Sequence, residues 1–83
     1  MKFRRTKKQR EIMGLILAAA GDGEFLCVKD IHEQVSYDCS YGAIRMSLRA
    51  LVRDGFLVRK AKATKTLLVP TDLAYEWFRP GPA

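Results

Sequence analysis

The stretch VKDIHEQVSYDCSYGAIRMSLRALVRDGF, Val28 to Phe56, decides how the rest of the chain is read. Val28, Ile31 and Val35 recur at helical spacing with charged residues between them, which predicts a short helix from about Lys29 to Val35. Ser36 to Cys39 interrupt the pattern, and Ser40 is a good N-cap, with Cys39 and Ile44 at the N′ and N4 positions of a hydrophobic staple. The next helix therefore runs from about Tyr41 to Asp54, where Gly55 supplies the left-handed residue that ends it. Its apolar positions Ile44, Leu48, Leu51 and Val52 fall at i, i+4, i+7 and i+8 and form a core face. At about 100° per residue the opposite face is Gly42, Met46, Arg49, Ala50 and Arg53, with Arg45 and Ser47 on the flanks. The arginines thus point away from the core.

Working outward, Thr6 and Gln9 form a capping box that starts a helix reaching about Ala20 and stopping at GDG. Ile12, Leu15, Ile16 and Ala19 make one stripe, and Met13, Leu17 and Ala20 an adjacent arc. Such a wide apolar face either lies deep in the core or also meets a second subunit. EFLCV, Glu24 to Val28, reads as a brief strand. FLVRK and TLLVP are two strands around the basic loop AKATK, Ala61 to Lys65. Thr71 caps a last short helix whose first turn holds Asp72 and whose apolar side is Leu73, Ala74, Trp77 and Phe78. Residues 1–83 are expected to form one α+β domain, with residues 1–5 a basic arm and residues 79–83, RPGPA, a flexible tail.

Charge is segregated. Met1 to Arg10 carries six Lys/Arg and no acid, Glu11 to Ile44 has a net charge of −5, and Arg45 to Lys65 has +6, within a total of +6. Two positive blocks suggest a polyanion, nucleic acid first and an anionic membrane surface second. No apolar run of about 18 residues is present, which excludes a transmembrane span. IMGLILAAAG behind a basic start resembles a signal peptide in length, but its helical stripe assigns it to the first helix of the domain. Cys27 and Cys39 lack CxxC spacing and predict a reducing, cytoplasmic setting, both thiols buried as small apolar groups. His32, the single histidine, falls on the polar side of its helix and reads as a surface residue. With no metal-ligand spacing, phosphate-binding glycine loop or nucleophile elbow, neither a cofactor, nor a metal, nor an enzymatic activity is expected.

A helix, a four-residue turn and a second helix make a helix-turn-helix, the motif that lays its second helix in the major groove. IRMSLRALVRDGFLVRK and LLVPTDLAYEWF extend the likeness, and the chain from Thr6 to Phe78 resembles the winged helix-turn-helix of MarR-, PadR- and LexA-type bacterial and phage regulators. The resemblance implies a three-helix core with a β-hairpin wing and a short C-terminal helix, and a double-stranded DNA partner. It places DNA contacts at Ser40, Tyr41, Gly42, Arg45, Met46, Arg49 and Arg53 on the recognition helix and at Arg59, Lys60, Lys62 and Lys65 on the wing. There a guanidinium can bridge two acceptors of guanine, and Met46 or Ala43 can meet a thymine methyl. Lys62 and Lys65, at the loop, are the favoured wing contacts. A homodimer is expected through Met13, Leu17, Trp77 and Phe78, acting as a repressor without a membrane role. Two rivals stand beside this reading: a module that docks an acidic protein partner, and a nonspecific architectural or replication-associated DNA binder.

Overall fold

The computed structural model describes residues 6–78; the expected arm and tail lie outside them. Thr6 is extended, and its hydroxyl accepts from the Gln9 amide at 3.1 Å while the Gln9 side chain accepts from the Thr6 amide at 3.1 Å. This reciprocal box satisfies two backbone donors and starts helix α1 (Lys7–Gly21). Ile12, Met13, Ile16 and Leu17 are all buried in the chain's own core. The wide apolar face of α1 is therefore filled within one chain. Met13, 0% exposed, and Leu17, 7% exposed, are taken up by the chain's own core and leave little or no surface for a second copy, which corrects their expected place at a dimer interface.

Helix α2 (Val28–Gln34) begins one residue earlier than the periodicity indicates, because Cys27 is its N-cap. Asp30 Oδ2 accepts from the Cys27 amide at 3.1 Å and from its thiol at 3.2 Å. Those bonds hold the Asp30 carboxyl below its ordinary range, with Lys65 and Lys29 adding a weaker electrostatic pull. Both cysteines are half-buried free thiols rather than fully buried ones. Because Cys27 already belongs to the start of α2, the brief strand expected over Glu24–Val28 shrinks to one bridge. In it the Leu68 amide donates to the Leu26 carbonyl at 2.9 Å.

Helix α3 (Tyr41–Arg53) follows, then strands β1 (Leu57–Lys62) and β2 (Lys65–Pro70) and helix α4 (Asp72–Phe78). The strands pair antiparallel from Leu57↔Pro70 to Lys62↔Lys65, so the expected five-residue loop tightens to a two-residue turn, Ala63-Thr64. Ile12 and Ile16 from α1, Ile31 from α2, Ile44, Leu48 and Leu51 from α3, Leu57 and Leu68 from the hairpin and Ala74 from α4 close one core. Gly55 (φ 89°) turns the chain out of α3, where a side chain is disfavoured. The Thr71 hydroxyl then donates to the Gly55 carbonyl at 2.7 Å, and the Thr71 amide to the Phe56 carbonyl at 3.0 Å. These bonds fasten the start of α4 to the end of α3. Phe56 meets Phe78 edge-on at 5.1 Å and Trp77 at 6.4 Å between centroids. Both aromatic residues expected at a dimer interface thus pack on their own chain, although Trp77 stays 38% exposed.

The turn between α2 and α3 is held from outside by α1. Glu11 accepts from the Ser36 hydroxyl at 2.8 Å and from the Ser36 amide, and Lys8 Nζ lies 5.2 Å from the centre of the Tyr37 ring. Burial pushes the Tyr37 phenol up. From the other side His32 Nε2 donates to the Cys39 carbonyl at 2.9 Å, and its ring stands edge-on to Tyr41 at 5.8 Å. His32 is half-buried and stitches the turn to α2, a correction to its reading as a surface residue.

Hydrogen bonds from Ser36 hold the Glu11 carboxyl below its ordinary range. A carboxyl that is more acidic when folded adds stability that is complete above the unfolded value and is lost as pH falls through the folded one. Thermal melts followed from neutral pH to about pH 3, a window set by the ordinary carboxylate values, should show Glu11→Gln less stable at neutral pH and less sensitive to acid than wild type. Parallel curves for the two proteins would show that the clasp contributes nothing.

Candidate nucleic-acid interface

Ser40 is extended (φ −75°, ψ 157°), and its hydroxyl accepts from the Ala43 amide at 3.0 Å, which fixes where α3 starts. With Ile44, Leu48 and Leu51 buried, helical geometry sends Gly42, Arg45, Met46 and Arg49 outward. Between the first turns of α3 and the hairpin lies an open cleft of about 1030 Å³. Lys29, Arg45, Arg49, Arg59 and Lys65 line it, together with Ser40, Tyr41, Gly42, Met46, Thr64 and Thr66. No acidic residue lines it. Five cations line one concavity, and although the Asp30 carboxyl outside it offsets part of the charge of Lys29 and Lys65, the cleft keeps a positive field that attracts a polyanion.

Alternation along the hairpin sets Arg59 apart from Lys60, Lys62 and Lys65. Arg59 pairs with Leu68 and faces the cleft, and Lys65 borders it near the turn. Lys60, one residue on, points from the other face of the ribbon. Lys62 borders a second groove behind the hairpin, beside Glu24, Phe25 and Asp30, and Lys65 borders both grooves. Arg53 lies at the far end of α3, outside the cleft, with Nε 3.5 Å from Asp54 Oδ1. That pair is solvent-exposed and contributes little to stability. The structure therefore brings together Ser40, Tyr41, Gly42, Arg45, Met46, Arg49, Arg59 and Lys65 and leaves Arg53, Lys60 and Lys62 outside the cleft. It adds Lys29, which sequence reasoning passed over as the one cation of an acidic segment. The signal that could have found it is its position in the first turn of α2, the helix packed against α3.

Among the described residues no group of three or more His, Cys, Asp or Glu side chains could hold a metal ion, and no helix is long and apolar enough to cross a membrane. A helix-turn-helix whose second helix shares a cleft with a two-stranded hairpin has counterparts among solved structures. The crystal structure of AF1382 from Archaeoglobus fulgidus superposes with a TM-score of 0.75 at 13% identity, over 86% of this chain and 76% of that one. The fold is a winged helix. MepR, a transcription regulator of the Staphylococcus aureus multidrug efflux pump MepA, shares it with a TM-score of 0.76 at 20% identity over 88% of this chain. This winged helix spans about half of MepR, 52% of that chain. No protein-family model matches the sequence, and no curated protein matches it.

At the tip of the wing Ala63 has φ 53°, the single non-glycine residue at positive φ among those described. A positive φ at the first of two central residues is the type II′ pattern, in which glycine is favoured because a Cβ is strained there. Lys62 and Lys65 stand directly opposite each other across the last rung, which adds repulsion. Ala63→Gly is expected to stabilise the domain by up to about 1 kcal/mol, raising Tm by roughly 4–8 °C in a thermal melt. A lowered Tm would mean that the alanine is unstrained.

Proposed function

We propose that the chain is a sequence-specific double-stranded DNA-binding transcription regulator of bacterial, phage or plasmid type. In this reading α3 enters the major groove, and Arg59 and Lys65 of the wing meet the phosphates alongside or reach the minor groove. The observation that carries it is the acid-free cationic cleft between α3 and the hairpin. MepR, a regulator of the same fold, supports the assignment. In this reading the chain represses by occupying a promoter. A homodimer through the exposed side of α4, where Tyr75 and Trp77 are 39% and 38% exposed, would match two half-sites. The setting is the cytoplasm, where such DNA is reached, and no catalytic step is part of the reading.

Binding to a fluorescent random-sequence duplex should weaken with salt at a log–log slope of about −0.9 per phosphate contacted. Arg59→Gln with Lys65→Gln should make that slope shallower by about 2, whereas Lys60→Gln, outside the cleft, should leave it nearly unchanged. Absence of binding even at low salt would overturn the reading in favour of an acidic protein partner. Equal affinity for every sequence in a selection would favour the nonspecific binder.

A further inference from the structure

Met46 is the most exposed large apolar side chain among the described residues, with 72% of its surface open to solvent. It stands in the cationic cleft, between Arg45 in sequence and Arg49 one turn on. A methionine in that position gains nothing from a phosphate, and solvation gives no reason to place it there. Its surface is satisfied only when an apolar group covers it.

The geometry of α3 narrows what that group is. Gly42, Met46 and Arg49 follow one another at i, i+4 and i+7, on the side opposite Ile44, Leu48 and Leu51. Gly42 has no side chain to hold a partner off, and a Cβ built there would meet only Ser40 Oγ, at 3.9 Å. The backbone of the first turn can therefore approach closely, which brings the next residue on that line, Met46, against whatever occupies the cleft. Along the axis Met46 and Arg49 are about 4.5 Å apart, comparable to the ~3.4 Å step between base pairs. Major-groove edges present donors and acceptors except at one place, the C5-methyl of thymine. A thioether side chain rewards that methyl and leaves the polar groups of the other bases without partners. Ala43, an exposed small apolar residue of α3 that also lines the cleft, ends at Cβ and lies on the flank of this line.

We propose that Met46 is a specificity-determining residue that reads the C5-methyl of one thymine in each bound site; this rests on the DNA-binding reading above. The test starts from a duplex selected by the wild-type protein from a random pool. Each thymine is then replaced singly by deoxyuridine, which removes the methyl and nothing else. At one thymine the replacement should weaken wild-type binding about fourfold, the transfer value of one methyl-sized group, and leave Met46→Ala binding unchanged. Met46→Leu should keep the sensitivity, because it keeps an apolar tip of similar reach. Insensitivity of the wild type at every thymine, or an equal loss in Met46→Ala, would overturn the role of Met46 while DNA binding itself stood. Failure of the wild-type protein to bind any duplex would instead overturn the DNA-binding reading, and this proposal with it.

Discussion

Ile44, Leu48 and Leu51 bury one side of α3 in a core shared with Ile12, Ile16, Ile31 and Leu57, and every feature of the cleft follows from that burial. A helix with one side fixed has no rotational freedom left, so Arg45, Met46 and Arg49 are aimed by residues that never touch a ligand. Burial of each Leu or Ile side chain is worth about 1.5–3 kcal/mol, more than the exposed cations lose by crowding one another in water. The hydrophobic term can therefore hold like charges together on one surface.

The remaining constraint is on the approach of α3 to α2. That turn contains neither glycine nor proline, and its conformation is set by its neighbours: Glu11 and Lys8 from α1 on one side, His32 from α2 on the other. Exposed or half-buried bonds of this kind are individually modest. Their value is geometric, because together they fix the direction in which Ser40 releases α3. The hairpin completes the arrangement from the other side of the cleft. There the bridge from Leu26 to Leu68 ties the base of the wing to the segment leading into α2. The wing tip has no such support and carries two facing lysines and a left-handed alanine.

Much of this was legible in residue order because the relevant interactions are local. The Thr6–Gln9 box, the Ser40 cap, Gly55 after α3 and the spacing of Ile44, Leu48 and Leu51 concern residues within one or two helical turns, and each is realised at its expected place. The side of α3 on which Arg45, Met46 and Arg49 lie was determined in the same way. Contacts between distant segments decided the rest. Whether Met13 and Leu17 met a second copy or their own core depended on how α1 packs against α4 and the hairpin, which periodicity does not report. The separation of Arg59 from Lys60, Lys62 and Lys65 depended on the β1–β2 register, which a turn without Asn-Gly does not announce. Lys29 joined the cleft, and Glu11 found Ser36, only through the packing of helices far apart in sequence. Periodicity and caps are encoded residue by residue, whereas the meeting of separate elements is settled by the shape of the whole core.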